Sequence, residues 1–188
     1  MRALTLLLLL ALPIAAQTPD QGGAVAVLRG VEFPEVNGQF TIARMTRYPM
    51  ESAGASASYL SEGIRGEISV YVYPGEGPVT PETLEELFQL DIKATVEYAR
   101  RAREATVESR PDSSVSVVGE NGVRYDGFRG EFTMRRGNDQ QTSLLHVFIK
   151  DGQFIKFRST YDDSDAARML PELDRFIARS LGRIKVPG

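Results

Sequence analysis

The stretch from Leu144 to Tyr161 reads LLHVFIKDGQFIKFRSTY and decides the fold, because it contains a strong local signal for a β-hairpin. Two apolar-rich runs are joined by Asp151-Gly152, a dipeptide suited to a type I′ turn, which needs positive φ at both central residues. A two-residue turn also sets the register of the two strands. The predicted cross-strand pairs are Lys150 with Gln153, Ile149 with Phe154, Phe148 with Ile155, Val147 with Lys156 and His146 with Phe157.

Both faces of this predicted hairpin are substantially apolar. One face carries Leu144, His146, Phe148, Ile155, Phe157 and Tyr161, and the other carries Leu145, Val147, Ile149, Phe154, Lys156 and Arg158. A strand with two apolar faces is typical of a sheet that is covered on both sides. We therefore predict that the hairpin lies in the interior of such a sheet.

Further strands and two helices are predicted around the hairpin. A long helix over residues 80–107 has a hydroxyl N-cap at Thr80 and Pro81 at its first position. A second helix over 166–181 should break or kink at Pro171. Strands are predicted over residues 24–33, 39–48, 53–60 and 64–73, with a further hairpin formed by 115–118 and 123–134. The glycines at 127 and 130 indicate a bulge or a strong twist in the last strand. The predicted fold class is α+β, an antiparallel sheet of about six to eight strands between the long helix and the C-terminal helix, which is an α/β/α sandwich.

The N-terminal residues have the layout of a secretory signal peptide. Residues 1–16, MRALTLLLLLALPIAA, combine one positive charge, a leucine run and small residues before Gln17. We expect cleavage near Ala16, a polar linker over residues 17–23 and a single domain over 24–188. No other run approaches membrane-spanning length, so the predicted location is the periplasm or the extracellular space.

Composition excludes several classes of function. The 188-residue chain has a net charge of −3, which gives no electrostatic reason to expect nucleic acid or an anionic membrane surface as a partner. It contains no cysteine, so disulfides, a thiol nucleophile and cysteine metal sites are excluded. Phosphate-binding glycine motifs and HExxH are also missing, and we predict no cofactor and no metal.

Candidate functional residues cluster in or near the hairpin. His146 is the single histidine, and its apolar neighbours favour a structural role over that of a general base. Lys156 and Arg158 interrupt an apolar face, and they would either contact an anionic group, with Tyr71 or Tyr73 nearby, or reach solvent and helix carboxylates with their charged ends. The acidic residues Asp162, Asp163 and Asp165 superficially resemble a calcium loop, but capping of the C-terminal helix and compensation of its dipole explain them better.

The order of elements resembles the PsbP-like family. The resemblance rests on the segment from Phe40 to Tyr48-Pro49, a long helix after Tyr73-Pro74, a meander of strands and a terminal helix after Tyr161. It implies an antiparallel sheet with helices on both faces. It also implies a non-enzymatic accessory or binding module that docks to partners.

Three functions are compatible with these observations. The leading hypothesis is an exported binding or accessory module of the cell envelope that docks to a protein partner or a small ligand, without catalysis. The second is a carrier of a small apolar ligand, with the small-residue strand 53–60 lining a cavity beneath the long helix. The third is an exported hydrolase that uses His146.

Overall fold

The computed structural model describes residues 24–50, 53–74, 77–102, 106–110, 112–137 and 139–187. The predicted signal peptide and linker lie outside the described residues. Two helices, α1 (Pro81–Ala102) and α2 (Ala166–Arg183), lie on opposite faces of a large sheet. The strands are β1 (Val25–Leu28), β2 (Val31–Pro34), β3 (Val36–Asn37), β4 (Phe40–Arg47), β5 (Ala55–Ser61), β6 (Ile64–Pro74), β7 (Thr106–Ser109), β8 (Ser113–Val118), β9 (Arg124–Arg136), β10 (Asp139–Lys150) and β11 (Gln153–Asp162).

The described residues form a nine-stranded antiparallel sheet with the order β3-β4-β5-β6-β11-β10-β9-β7, and β8 also pairs with β9. The predicted hairpin is β10 and β11, in the middle of this order. Its register is the predicted one, from Lys150 opposite Gln153 to His146 opposite Phe157. Asp151 and Gly152 have φ of 49° and 73°, as a type I′ turn requires.

The α2 side of the sheet holds the larger core. Phe176 of α2 is fully buried, and its ring makes edge-to-face contacts with Tyr59 at 4.9 Å, Phe40 at 5.5 Å and Phe157 at 6.4 Å between ring centroids. These contacts join α2 to three strands of the sheet. Of the break or kink predicted at Pro171, the break does not occur, because α2 runs continuously through this residue. The helix buries Met169 and Leu173 on either side of the proline, and this packing offsets the lost backbone hydrogen bond.

The α1 side holds a smaller core. Leu84 and Phe88 are buried, and the Phe88 ring stacks on Phe128 of β9 at 5.5 Å. Gly130 of β9 allows α1 to lie this close to the sheet, since a Cβ at this position would lie 2.5 Å from Ile92 Cδ1 and 3.3 Å from Phe88 Cζ. Of the bulge or strong twist predicted at Gly127 and Gly130, the bulge does not occur in the pairing of β9 with β10, which is regular through both glycines. Helix α1 ends at Ala102, earlier than predicted, and residues 106–109 form β7.

Two other sequence predictions change in the structure. The predicted strand over residues 24–33 is a hairpin of β1 and β2, because Arg29 and Gly30 adopt positive φ. The small-residue strand β5 lies under α2, where Ala55 and Ala57 are fully buried in the same core as Phe176, whereas α1 packs against β7, β9 and β10. Ala55 and Ala57 therefore do not line the predicted cavity beneath the long helix, and it is the opposite face of β5, which includes Leu60, that lies on the α1 side of the sheet. In the described part of the chain, no helix is both long and apolar enough to cross a membrane.

Candidate functional site

Helix α1 covers only part of its side of the sheet. It packs against β7, β9 and β10, and the surface of β4, β5, β6 and the second half of β11 lies beside it. A groove of about 670 Å³ occupies this surface. We call it the α1 groove. Its lining includes Arg44, Leu60, Glu67, Ser69, Tyr71, Tyr98, Arg158 and Thr160.

The floor of the α1 groove consists of cross-strand rows that follow from strand alternation. Ser58 of β5 lies opposite Ser69 of β6, which in turn lies opposite Arg158 of β11. The next row contains Leu60, Glu67 and Thr160. Because residues on these strands alternate between the two faces, the aliphatic side chains of β6 enter the α2 core and its polar side chains line the groove.

The hydroxyl and carboxylate groups of the floor are joined by hydrogen bonds. The Oγ atoms of Ser58 and Ser69 lie 3.0 Å apart, and Ser69 Oγ donates to Glu67 Oε1 at 2.8 Å. The same Glu67 oxygen lies 3.7 Å from Arg44 Nη2. The negative charge of Glu67 is thus balanced from β4.

Arg158 occupies the centre of the floor. Its Nε lies 3.4 Å from Ser143 Oγ, which is 3.1 Å from Thr160 Oγ1. In the part of the chain that the structure describes, no carboxylate oxygen lies within 4.0 Å of the guanidinium nitrogens of Arg158. Tyr71 is close enough for the Arg158 charge to lower its pKa, although burial outweighs this effect and raises the pKa above its ordinary value.

Lys156 is held differently from Arg158. Its Nζ lies 3.0 Å from Asp91 Oδ1 of α1, and the two side chains are 18% and 21% exposed. The same Nζ lies 4.7 Å from the centre of the Tyr71 ring and 5.6 Å from that of Tyr73, which is cation–π distance. Burial, and then the Asp91 charge, raise the pKa of Tyr73. Lys156 therefore contacts a helix carboxylate, one of its two predicted environments, and it connects α1 to the sheet.

His146 lies on the opposite face of the sheet from the α1 groove. Its side chain is 5% exposed, and its ring is nearly parallel to that of Phe148. Burial, and then the charge of Arg129, lower the pKa of His146 to about 3. None of the described residues provides a hydrogen-bond partner for Nδ1. The imidazole is therefore neutral and packed among core residues.

Asp165, the residue before α2, binds arginine. Asp165 makes no side-chain cap bond to α2. Its Oδ2 accepts hydrogen bonds from the backbone N–H of Arg65 at 3.2 Å and from Arg65 Nε at 3.4 Å. The capping prediction is therefore wrong for this residue. Among the described residues, no group of three or more His, Asp and Glu side chains is arranged to hold a metal ion.

Four of the five predicted site residues, Tyr71, Tyr73, Lys156 and Arg158, lie on the α1 side of the sheet, and His146 lies on the other. The sequence analysis missed the serine-rich floor formed by Ser58 and Ser69 with Glu67, and the flanking Arg44. A signal for this floor was present, because Ser56 and Ser58 alternate with Ala55, Ala57 and Tyr59. The contribution of Tyr98, which is 55% exposed on α1, was also missed.

No family model matches the chain. A probable receptor-like protein kinase of Arabidopsis thaliana is 29% identical over 93 residues, which cover 50% of this chain and 10% of that protein. The chain thus spans about a tenth of the length of this relative. LpqN of Mycobacterium tuberculosis, described as involved in cell envelope biogenesis, matches with a TM-score of 0.43 and 8% identity over 83% of this chain and 82% of that chain. The solution structure of cyanobacterial PsbP (CyanoP) from Synechocystis sp. PCC 6803 matches with a TM-score of 0.54 and 14% identity, over 91% of this chain and 98% of that chain. The sandwich described above is therefore a PsbP-like fold, as the order of elements predicted.

Proposed function

We propose that this protein is an exported, non-enzymatic accessory module of the cell envelope that binds a partner protein or a small ligand in the α1 groove. Export is the expectation from residues 1–16. The observation that carries the binding role is the incomplete cover of the sheet by α1, which leaves a polar, concave surface on rigid strands. Pre-formed concave sites with a few convergent polar groups are where proteins most often hold ligands.

The electrostatics of the groove support a binding role over a purely structural one. Arg158 lies on a central strand, and its charge has no carboxylate within 4.0 Å among the described residues. Lys156, on the same face of β11, has such a partner in Asp91. A partly buried cation without a counter-ion reduces stability, so its presence in a groove is more readily explained by a bound partner.

Neither alternative function has comparable support. The carrier hypothesis needs the small residues of strand 53–60 to line an apolar cavity beneath the long helix, but Ala55 and Ala57 face the α2 core and the lining of the α1 groove is mostly polar. The hydrolase hypothesis needs His146 beside an acid and a nucleophile, but its side chain is buried and its Nδ1 has no partner among the described residues.

A pair of leucine substitutions tests the proposed function. Leu60 lies on the rim of the groove and is 47% exposed, and Leu90 on α1 is 63% exposed and is not part of the lining. Leu60→Lys should remove a partner or ligand that the wild-type protein captures from an envelope extract, and Leu90→Lys should retain it. Quantitative mass spectrometry of the captured material provides the measurement. Equal capture by wild type and Leu60→Lys, with both variants folded by circular dichroism, would contradict binding in the α1 groove.

A further inference from the structure

We infer that the α1 groove is specific for a ligand that carries one oxyanion, a carboxylate or a phosphate, and that Arg158 binds this group. This inference rests on the proposed function and adds the chemical class of the ligand. It follows from the pairing of charged groups in and around the groove.

The other cations around the groove already have carboxylate partners. Arg44 lies 3.7 Å from Glu67. Arg65 lies 3.4 Å from Asp165 and 3.7 Å from Asp162. These pairs also balance the two carboxylates of the groove lining, Glu67 and Asp162. Neither carboxylate therefore opposes an incoming anion with an unbalanced charge.

The guanidinium of Arg158 has unused hydrogen-bonding capacity. Among the described residues, its hydrogen-bond partner is Ser143, which contacts Nε at 3.4 Å. The Nη1 and Nη2 groups, each with two N–H donors, have no such partner in this part of the chain. A planar pair of donor groups matches the two oxygens of a carboxylate or phosphate in a bidentate arrangement.

The surroundings of Arg158 suit an anion and an attached body. Ser69, whose hydroxyl donates to Glu67, lies directly across from Arg158, and Tyr71 lies near enough for the Arg158 charge to affect its pKa, so polar side chains surround the guanidinium. At the rim, the exposed faces of Leu60 and Tyr98 provide apolar and aromatic surface. A volume of about 670 Å³ is sufficient for a small organic molecule. The expected ligand therefore combines one oxyanion with an apolar or aromatic body.

Titration with three small probes tests this inference. Benzoate and phenyl phosphate each carry an oxyanion on a ring, and benzamide has the shape of benzoate without the charge. We expect at least one of the two anions to shift the backbone amide NMR signals of Ser69, Tyr71 and Arg158 at millimolar concentration, and benzamide to leave them unchanged. Binding of benzoate alone would assign a carboxylate, and binding of phenyl phosphate alone would assign a phosphate.

Two arginine variants provide the control. Arg158→Lys keeps the charge but loses the planar donor pair, so it should weaken binding about tenfold, as expected when a charge-assisted hydrogen bond is lost. Arg47→Lys is the matched control, because Arg47 lines a separate hollow of about 520 Å³ at the other end of β5, and it should bind like wild type.

Three results would overturn the inference: equal binding of benzamide, unchanged affinity in Arg158→Lys, or no shift at these amides with either anion. In each case, loss of partner capture in Leu60→Lys would still support the proposed function. Failure of the ligand class and failure of the groove as a binding site are therefore distinguishable.

Discussion

The ion pair between Lys156 and Asp91 should contribute to stability mainly through the penalty for breaking it. It joins β11 to α1 at 3.0 Å, and about four-fifths of each side chain is buried. The Tyr71 and Tyr73 rings flank the ammonium group. Loss of one partner would leave the other charge partly buried beside aromatic rings.

The magnitude follows from two opposing contributions. At a separation of 3.0 Å and an effective dielectric constant of about 20, the attraction between Lys156 and Asp91 is roughly 5 kcal/mol. Removing both ions from water costs several kcal/mol, so the net contribution of the intact pair is small. A single substitution in a fully buried pair costs about 3–5 kcal/mol. Because both side chains retain some exposure, we expect about 2 kcal/mol for Lys156→Met or Asp91→Asn.

A double-mutant cycle measured by urea unfolding tests this value. The double variant should lose about 2–3 kcal/mol, because each substitution has already removed the same interaction, which gives a coupling energy of about 1–2 kcal/mol. The exposed pair of Arg101 and Glu97 on α1, with side chains 79% and 61% exposed, is the matched control and should show a coupling below about 0.5 kcal/mol. Additive losses at Lys156 and Asp91, within about 0.5 kcal/mol, would refute the reasoning.

Three further substitutions test separate parts of the fold by urea unfolding. Gly130→Ala should lower the free energy of unfolding by about 1–2 kcal/mol, because the new Cβ would lie 2.5 Å from Ile92 Cδ1. Adding Ile92→Val should recover part of this loss. A neutral effect of Gly130→Ala would contradict the close contact. Gly152→Ala should lower the free energy of unfolding by about 1 kcal/mol, because φ at this residue is +73° and no atom lies near the position of its Cβ. Gly77→Ala, which also has no atom near its Cβ, should lower it less. Equal losses in the two variants would argue that the backbone conformation is not the cause. Burial lowers the pKa of His146 to about 3, against 6.5 for an unperturbed histidine, so the unfolded state binds more protons and stability falls as the pH drops below about 6.5. Between pH 7 and 5, the free energy of unfolding should fall by about 2 kcal/mol more in wild type than in His146→Leu. An equal fall in both proteins would contradict a neutral, buried histidine.

The β10–β11 hairpin was predictable to the level of individual residue pairs. Asp151-Gly152 allows few turn geometries, and a two-residue turn leaves a single register, so the pairs from Lys150–Gln153 to His146–Phe157 follow from local chemistry. The start of α1 was equally accessible. Thr80 accepts a hydrogen bond from the backbone N–H of Thr83 at 3.3 Å, as its N-cap position predicts.

Errors occurred where packing between distant segments decides the outcome. Pro171 is a helix breaker by local rules, but α2 continues because Met169 and Leu173 are both buried in one core. Asp165 lies at the N-cap position of α2, but its Oδ2 accepts hydrogen bonds from Arg65, 100 residues away in sequence, and none from the helix backbone. Gly130 has the appearance of a bulge residue, but it is required by the side chains of α1. None of these contacts is visible in local sequence.

The candidate site was partly predictable for the same reasons. Strand alternation alone assigned Lys156 and Arg158 to one face of the hairpin and His146 to the other. Whether each charge is paired depends on which element covers it, and α1 supplies Asp91 to Lys156 while the described residues supply no carboxylate to Arg158. The groove itself results from the position of α1 over β7, β9 and β10, which leaves β4, β5 and β6 beside it.

The sequence by itself determined the antiparallel sandwich, the central hairpin and its register, because turn chemistry and residue periodicity act over a few residues. Only the tertiary structure decided where the helices lie on the sheet, and therefore which polar side chains remain in an open groove. Helix placement depends on the fit of side chains such as Phe88 over Gly130, across segments that are far apart in sequence. The functional prediction for Arg158 consequently depends on the packing of a helix that does not contain it.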